Sequence, residues 1–180
     1  HWVTSDKQKV LLNETREMKF YNVGSSRLMD VNVTLTALSE DVLFGDTKEG
    51  GILSIRVASS MDVARGGTLE NSFGGINENG VWGKRAHWCD YSGSVNHKVV
   101  GVALFDHNKN FRHPTYWHAR NYGLMTANPF GLSVFQGPEY NGEYNLHAGD
   151  SLHFRYRIYI HKGDAKGGNV GEKYHNYVNP

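Results

Sequence analysis

Leu152, Phe154, Tyr156, Ile158 and Ile160 alternate with His153, Arg155, Arg157 and Tyr159, a strict period of two. That period puts one set of side chains on each face of a strand, whereas a helix would smear both sets around its axis. A second run behaves the same way: Val31, Val33, Leu35 and Ala37 alternate with Asn32, Thr34 and Thr36. Two long strands with one apolar face each require a second layer to cover them. The architecture expected is therefore all-β, an antiparallel β-sandwich (supersandwich-like) with little helix.

Shorter apolar runs, Ile52 to Val57 and Val99 to Phe105, read as central strands. Lys9 to Asn22 reads as edge strand, with a short helix over Glu14 to Phe20 as the competing reading. Gly24-Ser25-Ser26, Gly66-Gly67, Glu78-Asn79-Gly80, Ser92-Gly93 and Ala148-Gly149-Asp150 are the expected turns. The 180 residues predict a single domain over 1–180, with residues 163–180 as a loosely packed polar tail. The chain starts at His1 without a signal-peptide pattern. It is expected to be the C-terminal part of a longer protein, or a periplasmic or secreted chain whose leader has been removed.

Charge narrows the function classes. Lys plus Arg number 19 and Asp plus Glu 18. A balanced chain lacks the basic surface that drives nucleic-acid binding, so no nucleic-acid partner is expected. No apolar run approaches the roughly 20 residues of a membrane helix, so membrane insertion is not expected either. Cys89 is the only cysteine, which excludes an intrachain disulfide. P-loop, dinucleotide, nucleophile-elbow and helical zinc motifs are absent. Asn13-Glu14-Thr15 and Asn32-Val33-Thr34 fit the glycosylation triplet, a pattern frequent by chance.

Four constellations remain. Asp106 to Gly131 carries three histidines, two arginines and several aromatics in 26 residues. A loop of that length is uncommon in a compact domain unless it is functional, and its aromatics predict packing across a sheet face. Its His107, His113 and His118 suit proton transfer or, if they converge, metal ligation. The second constellation is Asp46 to Gly51, a charged glycine turn in which Glu49 is a candidate base. The third, His87-Trp88-Cys89-Asp90-Tyr91, offers an indole beside hydrogen-bonding groups, as a sugar ring requires. The fourth, Arg155 and Arg157, shares one strand face with His153 and Tyr159. These arginines are either solubilising charges or the cationic floor of a site.

The blocks Asp46 to Gly51 (DTKEGG), Ala86 to Gly93 (AHWCDYSG) and Phe105 to Gly131 occur in an order that resembles a bacterial family labelled methane oxygenase PmoA-like. The stretch His147 to Asp150, followed by Phe154-Arg155-Tyr156-Arg157, fits as well, so the resemblance spans roughly residues 44 to 164. It implies a metal-dependent oxygenase and a longer protein with a further His-rich segment before the region seen here. The closing Gly149-Asp150 to Ile158 run also resembles the last strands of galactose-mutarotase-like supersandwiches. That second likeness implies a sugar site on a concave sheet face, worked by a His acid and a carboxylate base.

These readings converge on carbohydrate processing: an isomerase, lyase or hydrolase acting on a sugar or modified glycoside. His113 or His118 would be the acid and Glu49 or Asp106 the base. Arg112, Trp117 and Arg120 would hold substrate, together with His87, Trp88, Asn128, Arg155 and Arg157. No cofactor is required by this scheme. The alternatives are a non-catalytic carbohydrate-binding module and, with a bound metal, the oxygenase that the family label implies.

Overall fold

The two alternating runs lie side by side in the computed structural model, which describes residues 1–179. The chain opens with β1 (Trp2–Val3), β2 (Val10–Val23) and β3 (Ser26–Ala37), then β4 (Val42–Phe44) and β5 (Leu53–Arg56). Two short 3₁₀ turns lead to β6 (Thr68–Asn71), and α1 (Asn77–Val81) precedes β7 (Trp88–Val95) and β8 (Lys98–Asp106). After these come β9 (Tyr116–Arg120), β10 (Leu124–Asn128), α2 (Leu132–Gln136), β11 (Tyr144–Leu146), β12 (Ser151–Lys162) and α3 (Val170–Val178).

Seven strands form one sheet in the order β1-β2-β3-β12-β8-β7-β6, a second sheet runs β5-β10-β9, and β11 pairs with β4. All the pairings are antiparallel. The register Phe154↔Val33 and Tyr156↔Val31 aligns the two apolar faces. Both then meet the second layer: Val31, Val33, Leu35, Phe154 and Tyr156 share one core with Leu53, Trp117, Met125, Ala127 and Leu146. Each Val, Leu, Phe or Met among them contributes about 1.5–3 kcal/mol when fully removed from water. The all-β, antiparallel, sandwich-like fold is thus observed. Among the described residues no helix is long and apolar enough to cross a membrane.

Several local expectations change. Glu14 to Phe20 is strand, within β2. Asp106 to Gly131 is not one long loop: it contains the β9–β10 hairpin, in register from Leu124↔Arg120 to Asn128↔Tyr116. The hairpin does pack across the large sheet, but as a second layer. Glu78-Asn79-Gly80 lies within α1 and Ser92-Gly93 within β7. The turn that links β7 to β8 is Asn96-His97 instead, both at positive φ (50° and 62°). Two successive left-handed residues match the twist of the flanking strands.

The tail is corrected too. Within residues 163–180, Val170 is fully buried, and Tyr174 and Tyr177 follow it at the i, i+4, i+7 spacing of one helix face. That face packs on Trp88, Ala103, Phe105 and Tyr159, so α3 covers part of the large sheet's outer side.

Candidate functional site

β8 ends at Asp106, whose side chain is 1% exposed. A carboxylate so buried must find donors, and the chain that follows supplies them. Asn110 Nδ2 donates to Oδ1 at 2.7 Å, and the Thr115 N–H donates to Oδ2 at 3.0 Å. His113 Nδ1 lies 2.7 Å from the same Oδ2. Asn110 is itself fixed, because it accepts from Arg155 N at 2.7 Å and donates to Arg155 O at 2.8 Å. The 106–115 turn is therefore tied both to its own start and to β12.

His113 Nε2 lies 3.1 Å from His87 Nδ1. His87 directly precedes β7, and its carbonyl accepts the Asp106 N–H at 2.9 Å. The β7–β8 hairpin thus brings residues 87 and 106 together, and the turn returns 113 to both. Two arginines brace the segment. Arg85 donates to the carbonyls of Arg112, His113 and Pro114. Arg112 sits at φ 59° and donates to the carbonyls of Pro129, Gly142 and Glu143. A non-glycine residue in the left-handed region persists where its surroundings over-determine it, and here it sets the position of His113.

The series Asp106–His113–His87 couples its tautomers: when His113 donates from Nδ1–H alone, its Nε2 accepts from Nδ1–H of His87. His87 Nε2 then carries a lone pair, with no partner among the described residues. His87 packs against Tyr174 of α3 at 5.5 Å and against Phe73 at 5.2 Å, and Phe73 is 66% exposed. Burial and the neighbouring His113 lower the His87 pKa, with Asp106 opposing. Burial, with a smaller push from Asp106, raises the Tyr174 phenol to about 12.

A first prediction follows for His87. Its imidazole should titrate below the usual value of about 6.5, as read from its ring-proton shifts by NMR. A histidine depressed in the folded state adds stability that is complete above about pH 6.5 and is lost as pH falls through the folded pKa. A midpoint at or above the usual value would contradict the buried, doubly flanked setting.

The histidines of the 106–131 segment go to three different places. His107 Nδ1 accepts the Lys109 N–H, and its ring meets Tyr177 edge-on at 5.1 Å. His118 Nδ1 lies 2.8 Å from the Lys48 carbonyl oxygen, outside the series. Asp106, His113 and His87 are strung in sequence instead of converging on a point. Among the described residues, no three or more His, Cys, Asp or Glu side chains are arranged to hold a metal ion.

A family model described as "Family of unknown function (DUF6807)" matches residues 1–175. The chain belongs to that family. No curated protein and no solved structure matches it.

Most of the remaining candidates in this DUF6807 chain serve the scaffold. Glu49, expected as a base, has a side chain 69% exposed and pairs with Lys48 at 3.3 Å, outside the Asp106–His113–His87 series. Trp117 is fully buried and donates Nε1–H to the Ala86 carbonyl at 3.0 Å, so it is core and not a substrate platform. Asn128 is fully buried as well. It donates to Thr47 O and Lys48 O and accepts from Phe130 N and Gly131 N. The Arg112 guanidinium is committed to three carbonyls. Arg120 pairs with Glu78 at 3.0 Å.

Trp88 is 9% exposed and lies beneath α3. Arg157 forms a two-pronged pair with Asp30, with Nη2–Oδ2 at 2.8 Å, and its guanidinium lies 4.4 Å from the Tyr177 ring. It anchors α3 and does not floor a pocket. Arg155 is exposed. Phe73 and Tyr174, which flank His87, were not legible as neighbours from sequence spacing. The period of α3 was the one available signal for Tyr174.

Proposed function

We propose that this chain is an acid–base enzyme acting on a carbohydrate, with Asp106, His113 and His87 as its catalytic series. The observation that carries the reading is the hydrogen-bonded line from a buried carboxylate to a histidine nitrogen beside an exposed aromatic ring. His87 Nε2 takes a proton from a substrate hydroxyl or an acidic C–H. The His87 Nδ1 proton then moves to His113 Nε2, and the resulting imidazolium is held by Asp106. Reversal of these transfers returns the proton to the product, as an isomerase or lyase requires. The face of Phe73 suits the C–H side of a sugar ring, while His87 addresses its hydroxyls.

The test combines a thermal-shift screen of neutral sugars, glycosides and uronates with turnover assays on the classes that stabilise the protein. His87→Gln and His113→Gln are expected to lower turnover by about 10²- to 10⁴-fold, the usual worth of a positioned acid–base group. Phe73→Ala should weaken binding and leave the chemical step comparatively intact. Sugar binding without turnover, indifferent to both histidine variants, would replace the enzyme with a carbohydrate-binding module. Failure of every sugar class to stabilise the protein would sink the carbohydrate reading.

A further inference from the structure

β2 is an edge strand along most of its length. β1 covers its outer side only opposite Val10 and Leu12. From Asn13 to Val23 that side has no partner strand among the described residues. Register with β3 sets Met18 opposite Val31 and Phe20 opposite Met29, so both belong to the core-facing side. The second layer does not reach them: Met18 is 48% and Phe20 75% exposed. Phe20, Met29, Ile158 and Ile160 line an apolar groove of about 230 Å³ that continues the core past the small sheet.

An open edge beside an apolar face is a template for another strand, and charges on the edge select which strand is accepted. Here the charges are self-complementary about Met18, with opposite signs at positions 17 and 19. The segment reads Arg16-Glu17-Met18-Lys19-Phe20. Antiparallel pairing of β2 with a second β2, about a two-fold axis through Met18, sets Glu17 of each copy opposite Lys19 of the partner subunit. Met18 meets Met18 of the partner subunit, and Arg16 meets the ring of Phe20 of the partner subunit. Centring the axis on Glu17 or Lys19 sets like charges opposite each other, which is destabilising. A half-step shift to either side of Met18 turns the partner's apolar side to the opposite face of the sheet. Among axes from Glu17 to Lys19, the Met18 register alone satisfies charge and face together, and it centres the apolar Met18 and Phe20 side chains in the seam.

We propose that the chain forms a two-fold symmetric dimer in which the two β2 strands pair antiparallel about Met18 and extend the large sheet across both copies. The interface is isologous, as most homodimer interfaces are. Outer-face Glu17 and Lys19, already 3.4 Å apart within one chain, become an alternating four-charge cluster.

Sedimentation velocity on the whole chain over a concentration series tests this. The native chain is expected to dimerise. Glu17→Lys, which sets lysine against lysine at both symmetry-related positions, should weaken the dimer by about tenfold or more. The double exchange Glu17→Lys with Lys19→Glu should restore it. Met18→Cys should give a covalent dimer on mild oxidation, since Cys89 is buried. A native chain that stays monomeric at every concentration overturns the proposal. So does a dimer indifferent to Glu17→Lys, or a double exchange no better than the single one.

Discussion

His161→Ala is expected to cost about 3–5 kcal/mol of folding stability in urea unfolding, the usual consequence of stripping one partner from a buried ion pair. His161 Nε2 on β12 lies 2.8 Å from Asp90 Oδ1 on β7, and both side chains are 1% exposed. Two glycines clamp the imidazole. A Cβ at Gly101 would fall 2.2 Å from its Cε1, and one at Gly168 2.2 Å from its Nδ1. The alanine variant would leave the Asp90 carboxyl dry and without its donor, and its Oδ2 already has none. Replacing both partners, His161→Leu with Asp90→Val, should recover a large part of the loss, because no charge is then stranded. A double variant as unstable as the single would assign the cost to packing and not to charge.

The same pair sets a pH dependence. Nδ1 of His161 lies 3.2 Å from the Lys162 carbonyl and Nε2 faces the carboxylate, so each ring nitrogen meets an acceptor. That arrangement favours the doubly protonated ring. Burial works against the charge, but the Asp90 hydrogen bond and charge outweigh it, and the His161 pKa is raised. Burial raises the Asp90 carboxyl, with His161 opposing. In both cases the folded chain holds the proton more tightly than the unfolded chain. The His161 contribution is therefore complete below about pH 6.5 and is lost as pH rises through the folded value. His87, depressed, loses its contribution in the opposite direction, so removing the raised His161 should flatten the alkaline loss that His161 itself contributes.

What the sequence revealed depended on whether one face of an element stays wet. β3 and β12 alternate because one side meets the core and the other meets water or a thin cover, and period two announced them. In β9 and β10 burial does not alternate: Tyr116 to Ala119 and Met125 to Asn128 are buried on both sides, so polar His118, Thr126 and Asn128 sit in dry positions among the apolar residues. The same burial made Trp117, His118 and Asn128 look like site residues. They are rich in polar and aromatic atoms because a dry hairpin must satisfy its neighbours' backbone groups internally.

The site was half legible. Asp106 and His113 are seven residues apart, and both were candidates. His87 stands 26 residues from His113, and no spacing rule joins them. The link is hairpin register: counting back from the Val95↔Lys98 pair across the Asn96-His97 turn sets His87 opposite Asp106. Recognising that turn as a two-residue hairpin from its sequence would have placed His87 beside the carboxylate, but Asn-His is not among the strong turn signals that Asn-Gly or Asp-Gly provide.

Asp106→Ala is expected to destabilise the chain by about 3 kcal/mol or more, since it orphans three buried or half-buried donors at once. Even Asp106→Asn, which keeps the volume, should cost about 1–3 kcal/mol. At Oδ2 the aspartate accepts from both His113 and the Thr115 N–H, so an asparagine must turn its oxygen to that side. Its amide nitrogen then faces Asn110 Nδ2, donor against donor. Asn110 cannot rotate to help, because its own oxygen and nitrogen are both engaged by the Arg155 backbone. A carboxylate is thus the only side chain of this size whose two oxygens both accept, and the geometry demands two acceptors. Thermal or urea unfolding of the two variants measures the costs. An asparagine variant as stable as the native chain would mean that the Asn110 clamp is loose. The His113 position, and the series that ends at His87, would then lose their physical basis.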